Sequence, residues 1–134
     1  MSHLQLLIVD DDGAIRSMLR YIIESNEHHV IGEAEDGRAG VDAAESLRPD
    51  LVLLDVSMPI MGGFPAARLL NAYMPGLPII FVTQHSEQSY VDEAFRCGAK
   101  GYVIKQAAMS ELPNAIRTVM TGHVFCSPLI RPVE

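Results

Sequence analysis

The sequence predicts an α/β fold: one doubly wound domain with a five-stranded parallel sheet and five helices. Five short apolar runs rich in β-branched residues recur along the chain, and each is typical of a strand buried on both faces. Segments with the period of an amphipathic helix lie between these runs. Successive runs begin roughly 20 to 28 residues apart, so each gap holds one helix and the strands are joined by right-handed crossovers.

The five predicted strands are short and lie well apart in the chain. They span Leu4 to Val9, His29 to Ala34, Leu51 to Leu54, Ile79 to Val82 and Tyr102 to Ile104. Glycine and proline stand at the ends of the predicted elements and do not cluster, so we expect no linker inside the domain.

The first predicted helix has the clearest pattern, with Asp12 available as its N-cap. Its apolar residues recur at helical spacing: Ile15, Met18, Leu19, Ile22 and Ile23. In the later helices we expect Pro65 in the first turn of the third and Gly98 at the end of the fourth. We expect Pro113 in the opening turn of the fifth, after Ser110. The core-facing residues of these four helices are Val41, Ala44, Leu47, Ala67, Leu70, Val91, Ala94, Phe95, Leu112, Ile116, Val119 and Met120.

Length and composition exclude several classes of protein. With 134 residues, of which 49% are hydrophobic, the chain can bury one core. Its net charge of −7 repels phosphate backbones, so we expect no direct binding of nucleic acid by this segment. The apolar runs are too short to span a bilayer, and Met1 to His3 is too short for the head of a signal peptide. We therefore expect no membrane partner and a cytoplasmic location.

Two cysteines are too few for a disulfide framework or a zinc site. We expect both, Cys97 and Cys126, to be reduced thiols packed in the protein.

Polar residues follow four of the predicted strands at the point where each strand ends. Asp10, Asp11 and Asp12 follow the first, and Asp55 follows the third. Thr83 follows the fourth strand and Lys105 the fifth. Because the carboxyl ends of parallel strands meet at one edge of the sheet, where such folds bind ligands, we expect these side chains to converge.

Such a cluster favours a divalent cation. Two carboxylates about 5 Å apart repel by roughly 3 kcal/mol at an effective dielectric constant near 20. Oxygen ligands without histidine or cysteine select Mg²⁺ or Mn²⁺, and Mg²⁺ keeps waters that phosphate oxygens can replace. Asp55, fixed at the end of a buried strand, can act as a nucleophile and form an acyl phosphate. The Lys105 ammonium and the Thr83 hydroxyl would then stabilise the transferred phosphoryl group.

Four segments, in this order and spacing, carry a family resemblance: LLIVDDD, LVLLDVSMPIMGG, IIFVTQH and CGAKGYVIK. The chain resembles the CheY-like receiver domain of two-component response regulators over residues 4–122, and is most similar to the NarL/FixJ (LuxR-type) class. The resemblance implies the strand order 2-1-3-4-5. Residues 123–134 resemble a tail, or the start of a linker to an output domain that is absent here.

The resemblance also implies roles for individual residues. Asp55 is the phosphoacceptor, and Asp10 and Asp11 form an acidic pair in which Asp11 binds Mg²⁺ directly. The backbone carbonyl of Ser57 is a further protein ligand of the ion.

Three more roles concern the switch. Thr83 acts as the switch hydroxyl, Lys105 pairs with the phosphate, and Tyr102 is the aromatic residue that moves inward on activation.

The implied function is a phosphorylation-operated switch and not an enzyme with turnover. A sensor histidine kinase or phosphotransfer protein donates the phosphoryl group, and a homodimer on phosphorylation is compatible with the resemblance. The NarL/FixJ class implies transcriptional control through a DNA-binding output domain. Two residues depart from the family pattern: Gln84 replaces a small residue beside the phosphoryl site, and Gln106 replaces a common proline.

Three alternatives remain open. A stand-alone receiver would signal by docking on another protein. An Mg²⁺-dependent phosphatase of the haloacid dehalogenase type would need a second aspartate two residues after the nucleophile, where this sequence has Ser57. A degenerate receiver would no longer be phosphorylated, and Gln84 is the residue that favours this. His85 lies close to the predicted site, and we interpret it as a solvated loop histidine.

Overall fold

Six parallel strands form one sheet in the computed structural model, which describes residues 3–130. The strands are β1 (Gln5–Val9), β2 (His29–Ala34), β3 (Leu51–Leu54), β4 (Ile79–Thr83), β5 (Gly101–Ile104) and β6 (Phe125–Cys126). Their order across the sheet is β2-β1-β3-β4-β5-β6. The predicted fold class and the order of the first five strands are therefore confirmed, whereas the predicted number of strands is wrong.

The additional strand lies inside the segment expected to be a tail. The Phe125 N–H donates to the Lys100 carbonyl at 3.0 Å, and the Ser127 N–H donates to the Tyr102 carbonyl at 2.8 Å. A strand of two residues has too few positions to show any hydrophobic period, so its sequence did not predict it. Residues 131–134 of the predicted tail lie outside the described part of the chain.

Within residues 3–130, five α-helices connect the strands, as predicted. They are α1 (Gly13–Ser25), α2 (Gly37–Leu47), α3 (Gly63–Tyr73), α4 (Gln88–Arg96) and α5 (Ala108–Met120), and a short 3₁₀ turn (Lys105–Ala107) precedes α5. Asp12 caps α1 as expected, because its side chain accepts from the N–H groups of Ala14 and Ile15. Pro65 lies in the first turn of α3, and Gly98, with φ of 98°, follows the end of α4.

The prediction for Pro113 is wrong in register. Helix α5 begins at Ala108, directly after the 3₁₀ turn, so Pro113 lies in the second turn and not in the first. The missing N–H of Pro113 therefore removes one hydrogen bond inside the helix. Ser110 does not start the helix but donates its hydroxyl to the Ala107 carbonyl within the first turn.

The helices cover both faces of the sheet. Helices α1 and α5 pack on one face, against inward residues such as Leu6 and Ile8. Helices α2, α3 and α4 pack on the other face, against Leu7 and Val9. The alternation of Leu6 to Val9 between two cores explains why β1 is a continuous apolar run.

Three smaller expectations about burial are wrong. Strand β2 lies at the edge of the sheet and most of its residues are only partly buried or exposed, so the expected burial of this strand is wrong. Leu47 and Met120, at the ends of their helices, are exposed. Cys97 is buried as expected, but Cys126 is exposed on the edge strand β6.

None of the helices in residues 3–130 has the length and apolar character needed to cross a bilayer.

Candidate functional site

The carboxyl ends of β1, β3, β4 and β5 surround one polar cleft, as the topology requires. The residues lining it are Asp11, Asp12, Gly13, Asp55, Ser57, Gln84, His85 and Lys105. Asp10, Thr83 and Tyr102 are buried directly behind this lining. The structure therefore brings together the side chains that were expected to converge.

Asp10 is a buried carboxylate that directly follows the last residue of β1. Its backbone N–H donates to the Ala34 carbonyl on β2 at 3.0 Å, and its Oδ1 accepts from the Asp12 N–H at 2.9 Å. Burial raises the pKa of Asp10 above its usual value, although the Asp12 N–H and Lys105 both favour the charged form. Its other oxygen, Oδ2, is buried and accepts no hydrogen bond, although it lies 3.0 Å from the Lys105 ammonium.

Asp55 follows the last residue of β3 and is also buried. Its backbone N–H donates to the Val9 carbonyl at 3.0 Å, which extends the pairing of β1 with β3 as far as the site. Its Oδ1 accepts from the Val56 N–H at 2.7 Å, and its Oδ2 accepts from Lys105 Nζ at 3.0 Å. The carboxylate is thus held at both oxygens at the end of a rigid strand.

Lys105 lies between the two buried carboxylates. It opens the 3₁₀ turn after β5, and its Nζ is 3.0 Å from both Asp10 Oδ2 and Asp55 Oδ2. Burial alone would lower the pKa of Lys105, but the two carboxylates beside the ammonium outweigh it, so the pKa is raised. The ammonium therefore stays charged and partly offsets the repulsion between Asp10 and Asp55.

The three aspartates fit a hard divalent cation. One carboxylate oxygen each from Asp10, Asp11 and Asp55 lie within 4.8 Å of one another. All are oxygen donors, the set that Mg²⁺ selects. The buried Oδ2 of Asp10, which accepts no hydrogen bond, is an oxygen that an ion or its water can satisfy. Asp11 and Ser57 are exposed, so the cluster is open to solvent on that side.

Thr83 and Tyr102 are connected through the backbone of His85. Both side chains are fully buried. The Thr83 Oγ1 accepts from the His85 N–H at 3.4 Å, and the Tyr102 hydroxyl donates to the His85 carbonyl at 2.8 Å. Burial is the main cause that raises the pKa of Tyr102. Tyr102 therefore occupies an inward position in this structure.

The side chain of His85 is part of the site, although the sequence was interpreted as placing it in a solvated loop nearby. It is half-buried and not a solvated loop residue. Its Nε2 lies 3.0 Å from Ser57 Oγ, and its ring stacks on Tyr90 with the planes 5° apart and the centroids at 4.1 Å. The signal that places His85 near the site is its position two residues after Thr83, just beyond the end of β4. Gln84, the departure from the family pattern, lines the cleft and is exposed.

Comparison with known proteins identifies the family. The family model described as "Response regulator receiver domain" matches residues 6–117, which is most of the chain. This chain belongs to the response regulator receiver domain family. It is a receiver domain of two-component systems, and proteins of this kind bind Mg²⁺ at an acidic pocket and interact with histidine kinases. The predicted resemblance is therefore confirmed.

Relatives of the receiver domain include proteins named as transcriptional regulators. The transcriptional regulatory protein YdfI of Bacillus subtilis is 35% identical over 125 residues, covering 92% of this chain and 58% of that protein. The protein CcdB of Bacillus subtilis is 35% identical over 119 residues, covering 89% of this chain and 98% of CcdB. The receiver domain thus spans less than two thirds of YdfI but nearly all of CcdB.

A crystal structure supports the class within the family. The two-component response regulator of the LuxR family from Aurantimonas sp. SI85-9A1 superposes with a TM-score of 0.91 at 30% identity. The match covers 95% of this chain and 91% of that one.

Proposed function

We propose that this receiver domain accepts a phosphoryl group on Asp55 from a phosphohistidine of a sensor histidine kinase or phosphotransfer protein. The observation that carries the proposal is the geometry of Lys105, whose Nζ lies 3.0 Å from both Asp10 Oδ2 and Asp55 Oδ2. It is the only ammonium among the residues that line the cleft. A phosphoryl group on Asp55 would lie close to the Lys105 ammonium, which would then pair with the negatively charged phosphoryl oxygens.

The chemical step is a displacement at phosphorus. A carboxylate oxygen of Asp55 forms the new O–P bond while the P–N bond to the donor imidazole breaks, and the leaving imidazole keeps its electron pair and takes up a proton. Lys105 is placed to neutralise charge on the transferred oxygens. Each chain takes up one group, so we predict no turnover of a free substrate.

We assign Mg²⁺ to the acidic cluster. The carboxylates of Asp10, Asp11 and Asp55 and the backbone carbonyl of Ser57 would hold it, Asp11 directly. When bound, Mg²⁺ supplies positive charge to the oxygens of the phosphoryl group. The formal charge supports this assignment, because three carboxylates face one ammonium.

The switch role proposed for Thr83 and Tyr102 follows from their shared contact. A hydroxyl of Thr83 that turns toward a phosphoryl group on Asp55 would leave the His85 N–H. The same peptide segment accepts the hydroxyl of Tyr102 through the His85 carbonyl. A change at Thr83 would in this way alter the packing of Tyr102 and the surface around α4, β5 and α5.

We further propose a transcriptional output through a DNA-binding domain. The name of YdfI supports this, as does the LuxR family of the matched crystal structure. The division into a receiver unit at residues 4–122 and a tail or linker at 123–134 belongs to the same proposal. The homodimer and the cytoplasmic location stay predictions.

The proposal is tested by intact mass spectrometry after incubation with a small phosphodonor and Mg²⁺. The wild-type chain is expected to gain one phosphoryl group, and Asp55→Asn is expected to gain none, because an amide is not a nucleophile toward phosphorus. The variant Asp50→Asn, at an exposed position before β3, is the matched control and should be modified like the wild type. An unmodified wild type, or equal modification of Asp55→Asn, would contradict the proposal.

One observation favours the stand-alone receiver as a second candidate function. The match to CcdB covers 98% of that protein, so a relative exists that is hardly longer than a receiver domain. Such a protein would signal by docking on a partner and not through a DNA-binding domain of its own. The coding sequence beyond the codon for Glu134 distinguishes the two candidates.

A further inference from the structure

Arg16 contacts the backbone of the acidic turn, which we define as residues 10–12. It is the fourth residue of α1 and is largely buried, with 18% of its side chain exposed. Its Nη1 donates to the Asp10 carbonyl at 2.7 Å. None of the roles proposed above uses this residue.

The guanidinium of Arg16 is fixed in direction by a second partner. Its Nε donates to Glu33 Oε1 on the edge strand β2 at 2.8 Å. A planar guanidinium that is bonded at two nitrogens cannot rotate freely. The bond from Arg16 Nη1 therefore restricts the direction of the Asp10 carbonyl. Arg16 thus connects β2 with the end of β1.

The Asp10 carbonyl is the oxygen of the peptide that joins Asp10 to Asp11. On its other side, the Asp10 N–H is bonded to the Ala34 carbonyl at 3.0 Å. This N–H belongs to the preceding peptide, so the peptide planes on both sides of the Asp10 Cα are held. The orientation of the second plane sets where the Asp11 side chain leaves the chain. Asp11 is exposed and is not embedded in the core, so the backbone is what places it.

Arg16 also carries a positive charge beside a cluster that would bind a cation. If that charge were its main effect, removing it would tighten the binding of Mg²⁺. If orientation of the peptide were its main effect, removing it would weaken the binding. The contact itself favours orientation, because Arg16 bonds a carbonyl and Glu33 and not a carboxylate of the cluster.

We propose that Arg16 is a positioning residue for the metal site: by holding the Asp10 carbonyl it orients Asp10 and Asp11 toward Mg²⁺. The inference rests on the proposed function, because it assigns the acidic cluster to Mg²⁺. Arg16 does not touch the ion or the phosphoryl group.

Calorimetric titration of the purified chain with Mg²⁺ tests the inference. Arg16→Met is expected to weaken binding by about tenfold, as is usual when the partner of a ligand is removed. Arg16→Lys, which keeps the charge but can hold only one of the two partners, is expected to fall between Arg16→Met and the wild type. Arg20→Met is the matched control, because Arg20 also pairs with Glu33 but does not contact the acidic turn.

A second measurement needs no metal. The Asp12 N–H donates to Asp10 Oδ1, so its hydrogen exchange in the metal-free protein reports whether the turn is held. We expect faster exchange in Arg16→Met and unchanged exchange in Arg20→Met. Thermal unfolding of each variant establishes that it is folded at the temperature of the titration.

The outcomes separate this inference from the proposed function. Unchanged or tighter Mg²⁺ binding in Arg16→Met overturns the positioning role, and so does an equal loss in Arg20→Met. If the wild type is phosphorylated on Asp55 and Arg16→Met binds Mg²⁺ as tightly as the wild type, only the positioning role of Arg16 is contradicted. Failure of the wild type itself to bind Mg²⁺ or to be phosphorylated contradicts the proposed function instead.

Discussion

At the residue scale, the site consists of charges that the fold buries and then only partly neutralises. Asp10 and Asp55 are 1% and 5% exposed, and Lys105 is the ammonium between them. Burying carboxylates together costs stability unless opposite charge compensates for it, and a bound cation would supply such charge. Arg16 and His85 contact the site through backbone groups as well: the Arg16 guanidinium bonds the Asp10 carbonyl, and the His85 N–H and carbonyl bond Thr83 and Tyr102. The residue types alone do not indicate such contacts.

His28 shows a charge effect at the opposite end of the sheet. Its Nδ1 accepts from the Leu4 N–H at 3.0 Å, which requires an unprotonated nitrogen. Burial, together with neighbouring His3 and His29, lowers the pKa of His28. The folded chain therefore binds fewer protons than the unfolded chain once the pH falls below about 6.5, the value for an unperturbed histidine.

We predict that acid destabilises the fold through this residue. The free energy of unfolding is expected to be unaffected by His28 above about pH 6.5 and to fall below it, by at most about 1.4 kcal/mol per pH unit. Urea unfolding at a series of pH values from about 7.5 to about 5.5, which brackets the titration of histidine, measures the slope of the unfolding free energy against pH. His28→Gln should have the shallower slope, and identical slopes would contradict the assignment.

At the element scale, the position of Asp55 depends on how closely α3 approaches the end of β3. Gly63, the first residue of α3, donates its N–H to the Val56 carbonyl at 2.8 Å. A Cβ at this position would lie 2.0 Å from the Asp55 carbonyl oxygen. Only glycine leaves room for this contact, because backbone atoms at the end of a central strand cannot move aside.

Gly63→Ala is therefore expected to destabilise the fold and to displace Asp55. The expected loss in the free energy of unfolding is about 1–3 kcal/mol, the range for overpacked sites, with slower phosphorylation of the folded fraction. Gly76→Ala is the matched control, since a Cβ there meets no heavy atom within 4 Å, and it should be close to neutral. Urea unfolding measures the loss of stability, and the rate of phosphorylation measures the displacement of Asp55. If Gly63→Ala leaves both unchanged, the close approach of α3 to β3 is not what positions Asp55.

At the scale of the whole molecule, the sheet extends one strand beyond the fold that the family resemblance implies. Strand β6 covers β5 on its outer side and bonds to the Tyr102 carbonyl through the Ser127 N–H. Phe125 packs against the core cluster of α1 and α5. The start of the predicted tail therefore contributes to the stability of the strand that carries Tyr102 and leads into Lys105.

Shortening the chain tests this contribution. A chain that ends at Gly122 is expected to lose about 1–3 kcal/mol of unfolding free energy, from the backbone hydrogen bonds of His123, Phe125 and Ser127 and from the packing of Phe125. A chain that ends at Ile130 keeps β6 and should match the full-length protein. Equal stability of all three chains would instead support a domain boundary at residue 122.

The sequence predicted the elements that have strong local signals. All five predicted strands were placed within one residue at each end, and the cap of α1 at Asp12 was correct, because apolar periodicity and capping are local properties. The register of Pro113 and the strand at Phe125–Cys126 were not predicted, since each depends on a neighbouring element in space. The edge of β5 offers unpaired backbone groups, and the two residues of β6 pair with them.

The sequence by itself determined the succession of strands and helices along the chain. It thereby determined which polar residues lie at the carboxyl edge of the sheet. That follows from chain direction, because all parallel strands deliver their next residue to the same side. Only the tertiary structure decided the distances: Lys105 at 3.0 Å from two carboxylates, Arg16 at 2.7 Å from the Asp10 carbonyl, and His85 between Thr83 and Tyr102. Such contacts join residues far apart in sequence, and their geometry is fixed by the packing of whole elements.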